Sequence, residues 1–466
     1  MASPMARQAV AEVESVDLPR DFDLLDLHVG HPERYPYLLE SVAAGADDRQ
    51  SARAHDILFA FPGETLRLDR NFRVHGVHGI PGDSFLRALD EWWRESQVPT
   101  DPGRALPFHG GWFLFLGYEL AGQIEPSIRV LEPPAGPVAF ATRIPVALVR
   151  NRQAGRGWIV AEPGQDDAIA ELRRDLMACV SSPRSPARDG RLARDICEPD
   201  PLEFLAAVAE IRRLISRGDV YQVNLARRWQ ASVSAGVSPA DIYRELRRTN
   251  PAPYAGIATL GDWALISSSP ERLVRSRGGI VETRPIAGTR PTAAHPSLED
   301  AQRRDLLGNP KERAEHIMLI DLERNDLGRV SEPGSVEVTE FMAVESYAHV
   351  HHIVSNIRGR LRPEVSPGDL IRALFPGGTI TGCPKVRCME IISALEPEPR
   401  GPYTGSMGYL NRDGSCDLNI LIRSFVMRGH ELSFAAGGGI VADSDPEREL
   451  EETRAKAKGL LLALGG

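Results

Sequence analysis

The chain has 466 residues, 42% of them hydrophobic and 26% charged, proportions that exclude a wholly disordered chain, a collagen-like fibre and a disulfide-stapled mini-domain. Its 55 Lys and Arg against 64 Asp and Glu leave a formal charge of −9, which argues against nucleic acid as a partner, since binding a phosphate backbone needs a net basic face. At roughly 100–200 residues per domain, the length admits several domains or one large elaborated one.

Cys179, Cys197, Cys383, Cys388 and Cys416 are too scattered for a disulfide framework and none forms a CxxC pair, which suits a reducing cytoplasm. The N-terminal stretch carries early acidic residues and no uninterrupted apolar run, and no segment reaches ~18 apolar residues. Neither export nor a membrane span is expected.

In chain order, residues 56–68 (DILFAFPGETLRL) read as β-rich, 83–96 (DSFLRALDEWWRES) as a helix, 138–151 (VAFATRIPVALVRN) as β-rich again, and 167–180 (DAIAELRRDLMACV) as a second helix. From Ser181 to Arg191, Pro, Ser, Gly and charge replace any apolar period, which predicts a linker between an N-terminal mixed α/β segment, 1–190, and a second domain, 198–466. A helix opens after Asp200 with Pro201 in its first turn, puts Phe204, Val208, Ile211 and Ile215 on one face, and stops at Gly218. Strand-like runs at 220–233, 254–260, 263–276 and 279–288 follow, joined by short Gly-containing turns that favour antiparallel pairing. Further helices are predicted from about Pro310 to Leu327, after Cys383 with Pro384 near the first turn, and over 446–464. Helices and strands are segregated rather than alternating, so the fold class is α+β with a large antiparallel sheet system and peripheral helices.

Glu312, Glu315 and Leu319 share one side of the 310–327 helix, and Glu449 and Glu452 lie one turn apart on the last helix. Converging, these carboxylates would supply the hard oxygens that suit Mg²⁺; otherwise they are solvated, or paired with neighbours such as Arg313 and Lys456. FPGGTITGCPK fails the GxxxxGK[ST] phosphate-loop pattern because Cys383 stands where Lys is required. What remains is a glycine turn feeding a helix N-terminus, where free N–H groups suit an anion. Gly437, Gly438 and Gly439 offer a second close backbone approach, or merely a tight turn. In YAHVHHIVSN, strand alternation puts His349 and His351 on one face and His352 on the other, an awkward arrangement for one metal. Glu271, after Pro270 at a strand end, is a candidate buried acid with a raised pKa.

YQVNLARR, SSSPERL, TRPIAGTRP, AEHIMLIDLERNDLGRV, GGTITGCPKVRCMEII, GSMGYL and ELEETRAKA follow one another in one order over about 250 residues. Together they resemble the chorismate-utilising enzymes: anthranilate synthase large subunits, aminodeoxychorismate synthase component I, and isochorismate or salicylate synthases. YPYLLES and GGWFLFLGYE extend the resemblance weakly into the N-terminal part. The resemblance implies an anthranilate synthase component I-like fold, with Glu315, Glu449 and Glu452 as Mg²⁺ carboxylates. It implies Glu271 as the acid that protonates the departing C4 hydroxyl, and Thr379 and His352 beside the ring carboxylate and C2. Tyr403, Arg423 and the Gly437–Gly439 backbone match the cradle of the enolpyruvyl carboxylate, and Lys456 would add a cation near the ring carboxylate.

Gln222 stands where the isochorismate and salicylate branch has a water-activating lysine, which makes ammonia the implied nucleophile. With no amidotransferase elbow in the sequence, a separate glutaminase subunit is implied as its source. TRPIAGT has Ala287 where many aminodeoxychorismate synthases have a lysine nucleophile, a departure that resembles anthranilate synthases. YQVNL with Asn224, GSMGYL with Ser406, and LNILIRSF look more like aminodeoxychorismate synthase component I, the favoured reading; anthranilate synthase, or a non-catalytic chorismate or tryptophan sensor, are the alternatives. Leu38–Ser41 (LLES) and Asn250–Tyr254 (NPAPY) resemble the tryptophan pocket of anthranilate synthases, so tryptophan is a candidate ligand of the N-terminal part.

Overall fold

The computed structural model describes residues 11–42, 55–77, 84–100, 106–152, 154–181, 190–291, 304, 306–346 and 350–465. His349 lies outside them. Among the described residues, two antiparallel sheets of 12 and 11 strands carry the fold. The first runs Glu12–Val16, Arg156–Ala161, Val146–Asn151, Asp56–Ala60, Tyr37–Glu40, Tyr254–Leu260, Trp263–Ser269, Ser424–Arg428, Glu431–Ile440, Gln222–Val233 and Ala193–Cys197, with Gly382–Cys383 beside Gln222–Val233. The second runs Ile286–Pro291, Val350–Arg360, Ile280–Arg284, Arg272–Arg277, Cys416–Asn419, Ser406–Asn411, Gly111–Leu116, Ala139–Ile144, Thr65–Leu68 and Val74–His75, with Glu337–Ser346 beside Val350–Arg360. This is the expected α+β architecture of large antiparallel sheets.

Each sheet draws strands from both sides of the 181–191 break. Glu40 pairs with Ala255 in the first sheet and Phe113 with Tyr409 in the second. Most of the break lies outside the described residues; helix Asp166–Ser181 precedes it and strand Ala193–Cys197 follows it.

Inner faces of the two sheets meet in an aromatic core that includes Tyr37, Phe59, Phe113, Phe115, Phe140, Trp263 and Met407. Tyr37 stacks on Phe113 with ring centroids 4.1 Å apart and planes 6° from parallel. Helices cover the outer faces: Pro239–Thr249 and Pro446–Ala463 through Tyr243, Leu246 and Leu460, and Phe85–Ser96, Pro310–Gly328 and Pro367–Leu374 through Trp92, Ile320 and Leu374. Pro201–Ser216 begins as expected, Asp200 accepting from the Leu202 amide at 2.9 Å with Pro201 in the first turn. Its apolar stripe ends on Leu214, which is buried, while Ile215 is only half-buried. Among the described residues no helix is long and apolar enough to cross a membrane.

Because Phe113 is fully buried between the sheets, Phe113→Ala is expected to cost about 3–5 kcal/mol in urea unfolding; a loss below about 1 kcal/mol would mean that this layer is not what binds the sheets.

Candidate active site

Strand Glu431–Ile440 lies along Gln222–Val233 in unbroken register, with Gly437 opposite Ala226, Gly438 opposite Leu225 and Gly439 opposite Asn224. On its other side the pairing with Ser424–Arg428 ends at Phe425 and Phe434, so the glycine stretch has an open edge there. The three glycines therefore sit in a strand rather than a tight turn, and their use is close approach. A Cβ on Gly437 would stand 2.9 Å from Tyr403 Oη, and one on Gly439 would stand 2.1 Å from Gln222 Nε2. A Cβ on Gly438 would lie 3.4 Å from Lys456 Nζ, 3.5 Å from Glu452 Oε1 and 3.6 Å from Glu449 Oε2. Glu449, Glu452 and Lys456 thus converge over Gly438, as the one-turn spacing on the last helix predicts.

Glu271 is 5% exposed, and its Oε1 has no hydrogen-bond partner. Burial pushes its carboxyl up to about 7; the Glu323 carboxylate adds to the rise, while the Thr379 hydroxyl, the Ile286 amide and Arg423 offset part of it. The Thr379 contact is too poorly aligned to satisfy either group, since Thr379 Oγ1 is also left without a partner. Arg423 faces Glu271, Tyr403 and Glu452, and its pKa is lowered by burial; no carboxylate among the described residues lies within ion-pairing distance of it. It is held at φ +53°, a left-handed backbone that a non-glycine residue adopts only under constraint, with its carbonyl bonded by the Ser268 amide at 3.1 Å. Tyr403 is buried, with its phenol pushed up to about 12 by burial, so it stays a neutral donor. Gln222 Oε1, Asn224 Oδ1 and Ser406 Oγ are buried and unpartnered as well. Orphaned polar atoms are rare in folded proteins; those of Gln222, Glu271 and Thr379 fall on predicted site residues and suit a polar ligand, while others, such as those of Trp112 and Ser331, lie elsewhere.

On helix Pro310–Gly328, Glu312 and Glu315 are half-buried and Leu319 is buried, as one face requires. A Cβ on Gly288 would lie 2.6 Å from Glu312 Oε2. The Gly288 carbonyl accepts from His352 Nδ1 at 3.3 Å, which puts the proton on Nδ1 and leaves Nε2 as an acceptor. Burial pushes the His352 pKa down to about 4, so the ring is neutral at physiological pH.

Among the described residues no group of three His, Cys, Asp or Glu closes around one point, so Glu315 is not brought into contact range with Glu449 and Glu452. Glu449 is buried, whereas the Glu452 side chain is 52% exposed and bonds Lys456 Nζ at 2.6 Å. Lys456 also donates to the Gly437 carbonyl at 2.9 Å, so its ammonium is held against the glycine strand. Two carboxylates over a glycine floor still fit Mg²⁺ by donor type, because that ion is usually held by one or two protein carboxylates and completed by substrate and water.

The glycine turn of FPGGTITGCPK is separated from the following helix by residues 381–384. Its 3-10 turn, Gly378–Ile380, carries Thr379 to Glu271, and helix Lys385–Leu395 starts only after Pro384. Three buried ionic groups escaped the sequence reading. Glu323 is 4% exposed and accepts from Thr283 Oγ1 at 3.0 Å. Lys385 Nζ bonds Asp326 Oδ2. Arg400 pairs with Glu396 at 2.6 Å, donates to the Asn224 and Ile380 carbonyls and lies over the rings of Tyr118 and Tyr403, so it fixes the tyrosine at the site. The one available signal was the helical spacing of Glu323 in DLERND, one turn from Leu319 and one from Leu327, both buried.

Leu38–Ser41 and Asn250–Tyr254 do meet: Ser41 Oγ donates to the Pro253 carbonyl at 3.1 Å and the Val42 amide to that of Ala252. Glu40 is tied up there by Arg247 at 2.9 Å, by Tyr243 at 2.7 Å and by Arg152.

Residues 62–462 match the family of chorismate binding enzymes, and the chain belongs to that family. It is 41% identical over 443 residues to aminodeoxychorismate synthase component 1 of Bacillus subtilis, covering 89% of this chain and 92% of that one. It is also 41% identical over 454 residues to anthranilate synthase component 1 of Streptomyces coelicolor, covering 93% and 84%. The crystal structure of anthranilate synthase component I from Streptococcus pneumoniae superposes with a TM-score of 0.76 at 34% identity, over 87% of this chain and 92% of that one. The chain is therefore a chorismate-utilising enzyme with the anthranilate synthase component I fold.

A methyl group at Gly438 has room in the free protein but occupies the space between the two glutamates and Lys456. Gly438→Ala is expected to fold with an unchanged melting temperature and to bind chorismate roughly ten- to hundredfold more weakly in calorimetry. Unaltered binding would place the ligand elsewhere.

Proposed function

We propose that the chain is an aminodeoxychorismate synthase component I, which aminates chorismate with ammonia to give 4-amino-4-deoxychorismate on the way to 4-aminobenzoate and folate. The observation that carries the reading is the buried Glu271 carboxyl, raised to about 7, in no ion pair among the described residues, and facing the guanidinium of Arg423. Losing the C4 hydroxyl of a dianion requires a proton on the departing oxygen and fixed positive charge around the ring. Glu271 is in a state to donate that proton. Arg423 and Tyr403 would take the enolpyruvyl carboxylate, with backbone donors from the open edge of Gly437–Gly439. Thr379 and His352 would lie beside the ring carboxylate and C2, where the neutral imidazole offers Nε2 as an acceptor. Lys456 would add a cation near the ring carboxylate.

Glu449 and Glu452 would hold Mg²⁺, which when bound neutralises and anchors the ring carboxylate. Gln222, buried against Gly439, has no basic group with which to activate water, so the nucleophile is ammonia. A glutamine amidotransferase subunit would supply it, in keeping with the component 1 names of the relatives. The five cysteines are free, which supports a cytoplasmic setting. Tryptophan is a further proposed ligand, at the junction of Leu38–Ser41 and Asn250–Tyr254.

One specific observation favours the anthranilate alternative. Ala287 is 8% exposed and pairs with Ile353, so no lysine amine is present at that position for covalent attack at C2. Incubating the chain with chorismate, Mg²⁺ and ammonium salt, with and without the lyase that converts aminodeoxychorismate, separates the products. The proposal requires 4-aminobenzoate only when the lyase is present; direct 2-aminobenzoate fluorescence would establish anthranilate synthase, and binding of chorismate without turnover would establish a sensor.

Glu271→Gln is expected to lower kcat by about 10²–10⁴-fold at constant fold. In the wild-type enzyme the rate falls as pH rises through about 7, because the acid form of Glu271 is lost there; a rate that instead rises through that range would remove Glu271 as the acid.

A further inference from the structure

We propose that Glu323 is a positioning residue for this reaction, a second buried carboxyl whose placement beside Glu271 keeps that acid in its proton-donating form. The inference rests on the proposed role of Glu271. The same two stretches of chain hold both carboxyls. On one side Thr283 Oγ1 donates to Glu323 Oε2 at 3.0 Å, and three residues on the Ile286 amide faces Glu271. On the other side the Gly378 amide donates to Glu323, and the next residue, Thr379, sets its hydroxyl against Glu271. A Cβ at Gly378 would stand 3.2 Å from Glu323 Oε1 and 2.5 Å from Leu322 Cδ2, so only glycine lets the turn settle this close to the helix that carries Glu323.

Both acids are nine-tenths or more buried, and neither forms an ion pair among the described residues. The cation facing Glu323, Lys385, is bonded to Asp326 Oδ2, and that neighbouring carboxylate adds further negative charge. The cation facing Glu271 is Arg423, which Tyr403 and Glu452 also face. Burial raises the Glu323 carboxyl as well, to about 7, and two carboxyls in one dry compartment cannot both ionise cheaply, so once Glu323 ionises it raises the proton affinity of Glu271. Among the described residues Glu323 hydrogen-bonds to Thr283 and to the Gly378 amide, neither of which is assigned to the substrate, which makes its role one of tuning rather than of contact.

The test is the pH profile of turnover by the full chain with chorismate, Mg²⁺ and ammonium salt, for the wild type, Glu323→Gln, Glu323→Met, Glu323→Asp and Glu271→Gln. The neutral variants should keep the acid-side rate and move the alkaline limb to lower pH, with about a tenfold deficit above the limb for each unit moved. Glu323→Asp, which keeps the charge, should retain the limb. A purely structural role would lower the rate at all pH values alike. An alkaline limb unmoved in both neutral variants overturns the proposal. Should neither fold, Thr283→Val, which removes a donor to the Glu323 anion, is read by the same limb: a shift to lower pH supports the proposal and an unmoved limb overturns it. Glu271→Gln separates the two assignments. If it is inactive at every pH while the Glu323 variants keep the wild-type limb, the acid assignment stands and the positioning assignment fails. If it keeps the wild-type rate and limb, both fail.

Discussion

Removing the Glu271 carboxyl from water, with no ion-pair partner among the described residues, is the constraint from which the rest of the site follows. An ionised carboxylate in such surroundings costs several kcal/mol, and a protein relieves the cost by pairing the charge or by leaving the group protonated. Among the described residues no cation is within ion-pairing distance of Glu271, Arg423 is near enough to offset only part of the shift, and Glu323 pushes in the opposite sense. The balance leaves a carboxylic acid that titrates near neutrality, the form needed to protonate a poor leaving group.

The sandwich of sheets is what makes that burial affordable in geometric terms. Glu271 lies between Trp263–Ser269 of one sheet and Arg272–Arg277 of the other, so the chain crosses from sheet to sheet at the acid itself. Arg423 sits at a second crossing, between Cys416–Asn419 and Ser424–Arg428, where its left-handed backbone aims the guanidinium back at the same space. Around these crossings the supporting polar groups are fixed by main-chain bonds: Arg400 holds the Asn224 and Ile380 carbonyls, and Glu396 accepts from the Ala226 amide at 3.0 Å. Rigid neighbours of this kind let a charged group face a substrate without collapsing onto a protein partner.

Much of the architecture was legible from local chemistry. Asp200 and Pro201 announce their helix, strand runs such as VYQVNLARRWQASV alternate as pleated strands do, and Glu449, Glu452 and Lys456 meet because helical spacing demands it. The pairing of strands across the 181–191 break was not legible, since a linker's composition reports exposure and says nothing about which strands meet beyond it. Gly437–Gly439 was legible as a choice between close backbone approach and a tight turn; the neighbouring strand and the side chains of Tyr403 and Gln222, which claim the space a Cβ would need, decide for the first. Glu323 was hidden for a related reason. A glutamate in a charged helix looks solvated until the second sheet and the Gly378 turn are known to cover it.

The protonation state of Glu271 is open to direct measurement by infrared spectroscopy, following the carboxylic acid C=O stretch of the free enzyme as pH is varied, with Glu271→Gln as the reference. A protonated-carboxyl band that disappears with a midpoint near pH 7, and is missing from the variant, is the predicted result. A wild-type spectrum identical to that of the variant, or a band that titrates in the ordinary carboxylate range, would contradict it.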